Sequence, residues 1–413
     1  MRSLSVILIA LALVGPAAAS DALRGAVDTP VDVTLGSGVC YEGATLLRVV
    51  GDGDDVSKVR LRLAAGRLRT IDLADIRQIA SDGAALYVNP GMADAGADEQ
   101  PTPDRKRTRE ERRAAAQEAD AKQAAAARRK WLAKLAANNV RAWPEVSEAE
   151  HEAAIARYKQ TGAEAQRLLP ALRLYETGRF LFYSNIPPDE VAPFIKRLDQ
   201  MHDWMTDTYN LPRGERVWLG KAPVYAFLQQ EQFAAFERRF FQHDPQPGTY
   251  GLCHQSSSGE VAITCYRGQE PHEFAAMLVH ETSHGFIHRY KTMQPLPSWV
   301  NEGMADYIGA LMVPQSQSVK RREERLLARL KQDPTIRRSF FGPGAIEFDD
   351  YGVASSLARF MIQTNPDAYV GFIEGMKAGL DWEASLHESY QAEPAQLVNA
   401  YARWLGVGQL RVQ

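Results

Sequence analysis

The sequence predicts an α+β protein: a small mixed sheet, a helix carrying paired histidines and a helical C-terminal part, preceded by a small β-barrel and a long helix. Three observations predict it. Strand-like runs alternate with Gly/Asp turns from Val31 to about Ile79. Asp104 to Ala137 is rich in the strong helix formers Ala, Arg, Glu, Lys and Gln. Beyond residue 145, strand and helix patterns alternate to about 270, and helical patterns dominate from there to the end. The composition, 45% hydrophobic and 24% charged, is that of a folded protein. The formal charge of −3 excludes a globally basic nucleic-acid binder and selects no other partner.

Met1 to Ser20 reads as a secretory signal. Arg2 supplies the positive start, Leu4 to Val14 the apolar run, and Ala17-Ala18-Ala19 a small-residue cleavage site. The run is too short to span about 30 Å of hydrocarbon. No later stretch is long and apolar enough to cross a membrane, so a periplasmic or secreted protein is expected. Cleavage leaves about 390 residues, enough for two or three domains.

Residues 21–88 form the first expected unit. Val31–Leu35, Ala44–Val50, Val56–Leu63 and Leu68–Leu73 are predicted strands, with Gly51-Asp52-Gly53-Asp54 as a turn. Their size suits a compact β-barrel of the SH3 or Sm type, an accessory or interaction module. Cys40 is expected to be buried and inert. Residues 89–143 are expected to be a linker followed by a spacer helix. Asn89 to Pro103 is rich in Pro, Gly, Ala and Asp. Asp104 to Ala137 lacks the Leu/Ile heptads of a coiled coil; fully helical, it is about 50 Å long. Its arginines are interrupted by Asp104, Glu110 and Glu111, the pattern of a solvated charge run.

Residues 144–413 are expected to form one larger domain. Ser147-Glu148-Ala149-Glu150 is a capping box. Strands follow at Arg179–Tyr183 and Val224–Leu228, and helices at Asp189–Tyr209 and Gln232–Phe241. Thr249–Cys253 and Glu260–Tyr266 make a hairpin, and the strand at Val261–Thr264 is a candidate sheet edge for β-augmentation by an extended peptide. Three cysteines in an exported chain leave one odd. The hairpin brings Cys253 and Cys265 near each other, so a disulfide between them is expected; without a CxxC pair they do not suggest a zinc site.

The chemistry-bearing stretch is His280 to Asp306. His280-Glu281-Thr282-Ser283-His284 is an HExxH motif on a predicted helix from Pro271 to about Tyr290. Histidines four apart share one helix face, so both rings can reach one ion. Glu281 is placed to act as general base on a water at that ion. Catalytic zinc takes three protein ligands. The HExxHxxGxxH pattern is excluded, since Ile287 and Tyr290 stand at its glycine and histidine positions. Glu302, on the next predicted helix, is the expected third ligand. Ser298 is a candidate cap of that helix. Asp306, one turn after Glu302, is expected to orient a ligand histidine from behind. His288 is read as a flank of the site, and His254 and His272 as ordinary polar residues.

HExxH followed at this distance by Asn301-Glu302-Gly303-Met304-Ala305-Asp306 resembles the gluzincin clan of zinc metallopeptidases. The Trp299-to-Tyr307 segment is closer still to peptidase-MA-like domains of bacterial envelope proteins. The match covers roughly 270–375. The resemblance implies a thermolysin-like zincin domain and one zinc on His280, His284 and Glu302. It also implies Glu281 as base, Asp306 behind the ligands, and a peptide or protein substrate. No Gly-x-Met-x-Asn exopeptidase motif lies upstream, which favours an endopeptidase. Related domains carry a tyrosine where Tyr351 stands, so it is a candidate donor to the oxyanion; the other reading is a tyrosine closing a helix start. The competing expectation for the whole chain is an envelope interaction protein. In that case the β-module or the spacer helix binds the partner, and the zinc domain is inactive or structural.

Overall fold

The computed structural model describes residues 16–27, 29–35, 40–50, 56–62, 68–81, 84–89, 125, 128–209, 211, 215–268 and 270–413. The chain is a mixed α+β protein. It divides into two compact units, Met1–Ala116 and Gln117–Gln413. Residues 1–15 of the expected signal and 104–124 of the expected spacer lie outside the described residues.

The first unit holds helix α1 (Pro16–Gly25) and six strands: β1 (Pro30–Leu35), β2 (Cys40–Val50), β3 (Lys58–Arg62), β4 (Leu68–Asp72), β5 (Ile76–Ser81) and β6 (Ala84–Val88). All their pairings are antiparallel, in the order β4-β3-β2-β1-β5-β6. Val31, Val33, Leu46, Val59, Leu61, Ile76 and Ile79 alternate inward to a core that also takes Leu23 of α1. Three sequence expectations are corrected here. Four strands were expected in this span, and β5 and β6 extend the sheet beyond them. No pairing joins β4 to β6 among the described residues, so the sheet is open and the expected closed barrel is not formed. Cys40 begins β2 and is exposed rather than buried; its sulfur accepts a hydrogen bond from Thr34.

In the second unit, residues 128–137 form helix α2, the described end of the expected spacer. It is docked, not free: Leu135 is buried, Lys134 pairs with Glu388, and Trp131 lies under Lys291. Helix α3 (Glu148–Leu168) opens with the expected capping box. Strands β7 (Arg173–Glu176) and β8 (Phe180–Ser184) precede helix α4 (Pro188–Thr208). Strand β9 (Ala222–Phe227) leads to helix α5 (Gln230–Phe236), which widens into a π-turn at Glu237–Phe241. The hairpin of β10 (Gly251–Gln255) and β11 (Val261–Tyr266) completes the sheet, in the order β10-β11-β9-β8-β7. The pairs β8/β9 and β9/β11 are parallel; the outer pairs are antiparallel.

This sheet is covered on both faces, which is why Phe180-Leu181-Phe182-Tyr183-Ser184 is buried throughout. Phe180, Phe182, Val224, Ala226, Ile263 and Cys265 pack toward helices α4 and α6 (Pro271–Arg289). Leu181, Tyr183, Tyr225, Phe227 and Tyr266 pack against α3 and α5 on the other side. Helix α7 (Ser298–Met312) follows α6, and α8 (Ser318–Gln332) and α9 (Tyr351–Thr364) pack beyond it. Helices α10 (Pro366–Lys377), α11 (Trp382–Tyr390) and α12 (Pro394–Leu405) follow, and a short strand at Arg411–Val412 pairs in parallel with Thr335–Ile336. Helix α7 meets α9 closely because Gly303 has no side chain: a Cβ there would lie 2.3 Å from the Ala354 carbonyl oxygen.

The hairpin register corrects two more expectations. Cys253 stands opposite Ile263, and Cys265 opposite Gly251. The two residues are therefore diagonal neighbours, with backbones about 7–8 Å apart by strand geometry, beyond ordinary disulfide reach. The expected Cys253–Cys265 disulfide is not formed, and both cysteines are free. The edge on this side is β10, because β11 pairs with β9 as well and so is an interior strand.

Candidate metal centre

Helix α6 starts at Pro271, which needs no N–H partner in the first turn, and it is buried on most of its surface. Thr282 and Ser283, the middle residues of HExxH, return their hydroxyls to the carbonyls of Leu278 and His280 and leave no buried donor free. His280 and His284 emerge on one face, and Glu302 of α7 meets them. The Nε2 atoms of the two histidines are 3.0 Å apart. Glu302 Oε2 lies 3.3 Å from His280 Nε2 and 3.6 Å from His284 Nε2. Among the described residues, this is where three metal-ligating side chains converge.

These spacings suit one ion. Ligands about 2.0–2.1 Å from a tetrahedral zinc stand about 3.3–3.4 Å from one another. The three separations bracket that value. The centre also attracts positive charge. Burial opposes protonation of His280, but hydrogen bonds from it to Asp306 and Glu302 outweigh burial and raise its pKa well above the ordinary value. Burial likewise opposes ionisation of Glu302, yet its contacts with the two imidazoles hold its carboxyl far below the usual range.

Behind the ligands, Asp306 is 3% exposed and accepts from His280 Nδ1 at 3.0 Å. In the neutral ring, a proton on Nδ1 leaves the Nε2 lone pair facing Glu302 and His284. Arg322 of α8 donates to the same Asp306 oxygen at 2.6 Å and lies 5.6 Å from the Tyr351 ring centre. Arg322 is absent from the sequence reading, since Lys320-Arg321-Arg322 has the look of a solvated run. The only hint was a buried Asp306 needing more than one donor. Ser298 does not cap α7: Pro297 stands at that position, and the Ser298 hydroxyl accepts from the Ile346 N–H.

Glu281 lies beside this centre, against the edge strand. A Cβ on Gly251 of β10 would come within 3.0 Å of Glu281 Cγ and 2.2 Å of Met277 Sδ, so a larger residue there would displace the base. Burial raises the Glu281 pKa, and the two histidines partly offset it. Tyr351 begins α9 at the same place. Burial, then the negative charges of Glu302, Asp306 and Glu281, keep its phenol protonated far above the ordinary range. Cys253 and Cys265 also face Glu281; burial first, and that carboxylate second, push both thiols upward.

His288 lies outside the cluster, bonded to the Ser256 carbonyl and edge-on to Trp143. His254 is less ordinary than its sequence context implies. It meets the fully buried Glu237 at 3.0 Å and stacks on Phe241, on the sheet face away from α6. Glu237 and His254 are 17 residues apart. No spacing rule connects them; only the π-turn does.

Compared with known proteins, the chain matches no family model and no curated protein sequence.

Proposed function

We propose that the chain is a zinc-dependent endopeptidase of the HExxH…Glu type, with a thermolysin-like zincin arrangement in its second unit. The observation that carries this reading is the convergence of His280, His284 and Glu302 at tetrahedral ligand spacing, with Glu281 and an open strand edge beside it. A structural ion has no need of a carboxylate at Glu281. The zinc would be held by His280 Nε2, His284 Nε2 and Glu302 Oε2, with Asp306 and Arg322 fixing the His280 ring. A zinc ion in such a site supplies Lewis acidity toward a carbonyl and toward water.

The chain's own residues do the rest. The outer edge of β10 offers backbone N–H and C=O groups to an extended peptide. This places the peptide next to Gly251 and hence next to Glu281. Glu281 takes a proton from the attacking water and passes it to the leaving nitrogen. Its burial-raised pKa suits it to both roles. The Tyr351 phenol stays protonated and donates to the oxyanion. The N-terminal sequence supports export, so the substrate is a periplasmic or extracellular peptide or protein.

The test is incubation with an unstructured protein, with and without chelator. The parent protein should cleave internal bonds, lose that activity to chelator and regain it on adding zinc. Glu302→Ala should lose both the metal and the cleavage, because it removes a ligand. Zinc-loaded parent protein that cleaves nothing, or cleavage indifferent to chelator, would refute the proposal.

A further inference from the structure

Strand β10 has one paired edge and one open edge among the described residues. The Tyr266 N–H donates to the Tyr250 carbonyl at 3.0 Å, and the Ser256 N–H donates to the Glu260 carbonyl at 3.0 Å. Even-numbered residues of this strand therefore bond inward to β11, and the backbone groups of Gly251, Cys253 and Gln255 point to the open edge. Glu237 anchors the strand from the α5 side. It is fully buried, pairs with His254 of β10 and accepts from the Thr264 hydroxyl of β11. Tyr250 stands just before Gly251. Its ring stacks at 5.1 Å and 19° on Tyr266, a member of the cluster that faces away from α6. Tyr266 is 7% exposed and Tyr250 is 54% exposed, so the outer ring covers the inner one and is itself open.

We propose, resting on the peptidase reading above, that Tyr250 selects substrates by receiving an aromatic side chain from the peptide residue directly opposite it. A peptide laid along the open edge takes its hydrogen bonds from Gly251 and Cys253. Its residue opposite Tyr250 then falls in a non-hydrogen-bonded pair, where side chains come closest. That side chain extends the row Tyr266–Tyr250 by one ring, and aromatic cross-strand pairs are favourable. Its neighbour in the peptide stands opposite Gly251, beside Glu281. The selected residue is therefore one removed from the residue next to the base. The row offers less to a cation. Burial and Tyr250 raise the Tyr266 phenol more than Glu231 does, and Glu231 is exposed to water.

The test measures binding apart from cleavage. The whole zinc-loaded Glu281→Gln protein is titrated with short fluorescent peptides of Ser and Thr, through which a single Phe, Ala or Lys is moved position by position. At one position Phe should bind about fivefold tighter than Ala or Lys. Adding Tyr250→Ala should bring that ratio to about one, and adding Tyr250→Trp should keep it. Tyr250→Lys, a second substitution at this exposed position, should prefer Glu there instead. Should this selection persist while the parent protein cleaves nothing, the inference stands and the peptidase reading falls. Binding with no preferred position, a preference unmoved by Tyr250→Ala, or no binding of any peptide would overturn the inference.

Discussion

Glu281→Gln should fold, keep its zinc and lose nearly all peptide cleavage. The amide retains the size and polarity of the carboxylate, so the packing of Met277 and Gly251 around it is preserved. It cannot take a proton at neutral pH. General-base assistance is typically worth about 10²–10⁴-fold, or roughly 3–5 kcal/mol of barrier. The check is kcat beside zinc content for parent and variant. Zinc retained with turnover near the parent rate would remove Glu281 from the mechanism. Zinc lost with turnover would mean that the substitution disturbed the ligands.

Lys377→Met should stabilise the protein, most strongly at and below neutral pH. Lys377 ends α10, is 1% exposed and donates from Nζ to the Gln294 carbonyl at 2.8 Å. That carbonyl belongs to the connection between α6 and α7, the two helices carrying the proposed ligands. Among the described residues no carboxylate pairs with this lysine, and His288 of α6 faces the same region. Burial lowers its pKa from an ordinary 10.5 to about 7. The sign follows from proton uptake. Between about 7 and 10.5 the unfolded chain binds the proton and the folded chain does not, so this group's contribution to stability falls as pH falls through that window. Below about 7 the penalty is complete, on the order of 5 kcal/mol. Losing the bond to Gln294 offsets about 1 kcal/mol of the gain. Denaturant unfolding of parent and variant across pH 6 to 10.5 should show a difference that is largest at the acid end and shrinks toward 10.5. A difference independent of pH would mean that Lys377 stays charged in the fold.

The cluster of His280, His284 and Glu302 is legible in the sequence because it is built from local periodicity. A spacing of four puts His280 and His284 on one face, and the same spacing puts Glu302 and Asp306 on one face of the next helix. A short connection between the helices leaves them few ways to meet. Tyr351 is a candidate through the resemblance to related domains, and the sequence pattern itself shows only that it stands at the start of a helix. What sequence could not supply is register and long-range contact. The hairpin is plain in Thr249 to Tyr266, but the pairing of Cys253 with Ile263 rather than Cys265 depends on how many residues the turn consumes. That β11 rather than β10 is taken by β9 depends on a parallel pairing across about 35 residues of chain. Strand β5, with Arg77, Gln78 and Ser81 among its six residues, has too few apolar positions to stand out. Arg322 reaches Asp306, and His254 reaches Glu237, through tertiary packing that charge patterning presents as ordinary surface.

We propose that two imidazoles and one carboxylate hold a catalytic zinc. Zinc-edge X-ray absorption on metal-quantified protein tests it most directly. About one zinc per chain is expected, with a nitrogen/oxygen shell at about 2.0–2.1 Å, two imidazole signatures and no sulfur. In Glu302→Ala the zinc should be lost. A sulfur shell at about 2.3 Å would place the ion on Cys253 or Cys265 instead, and protein that takes up no zinc at all would contradict the account outright.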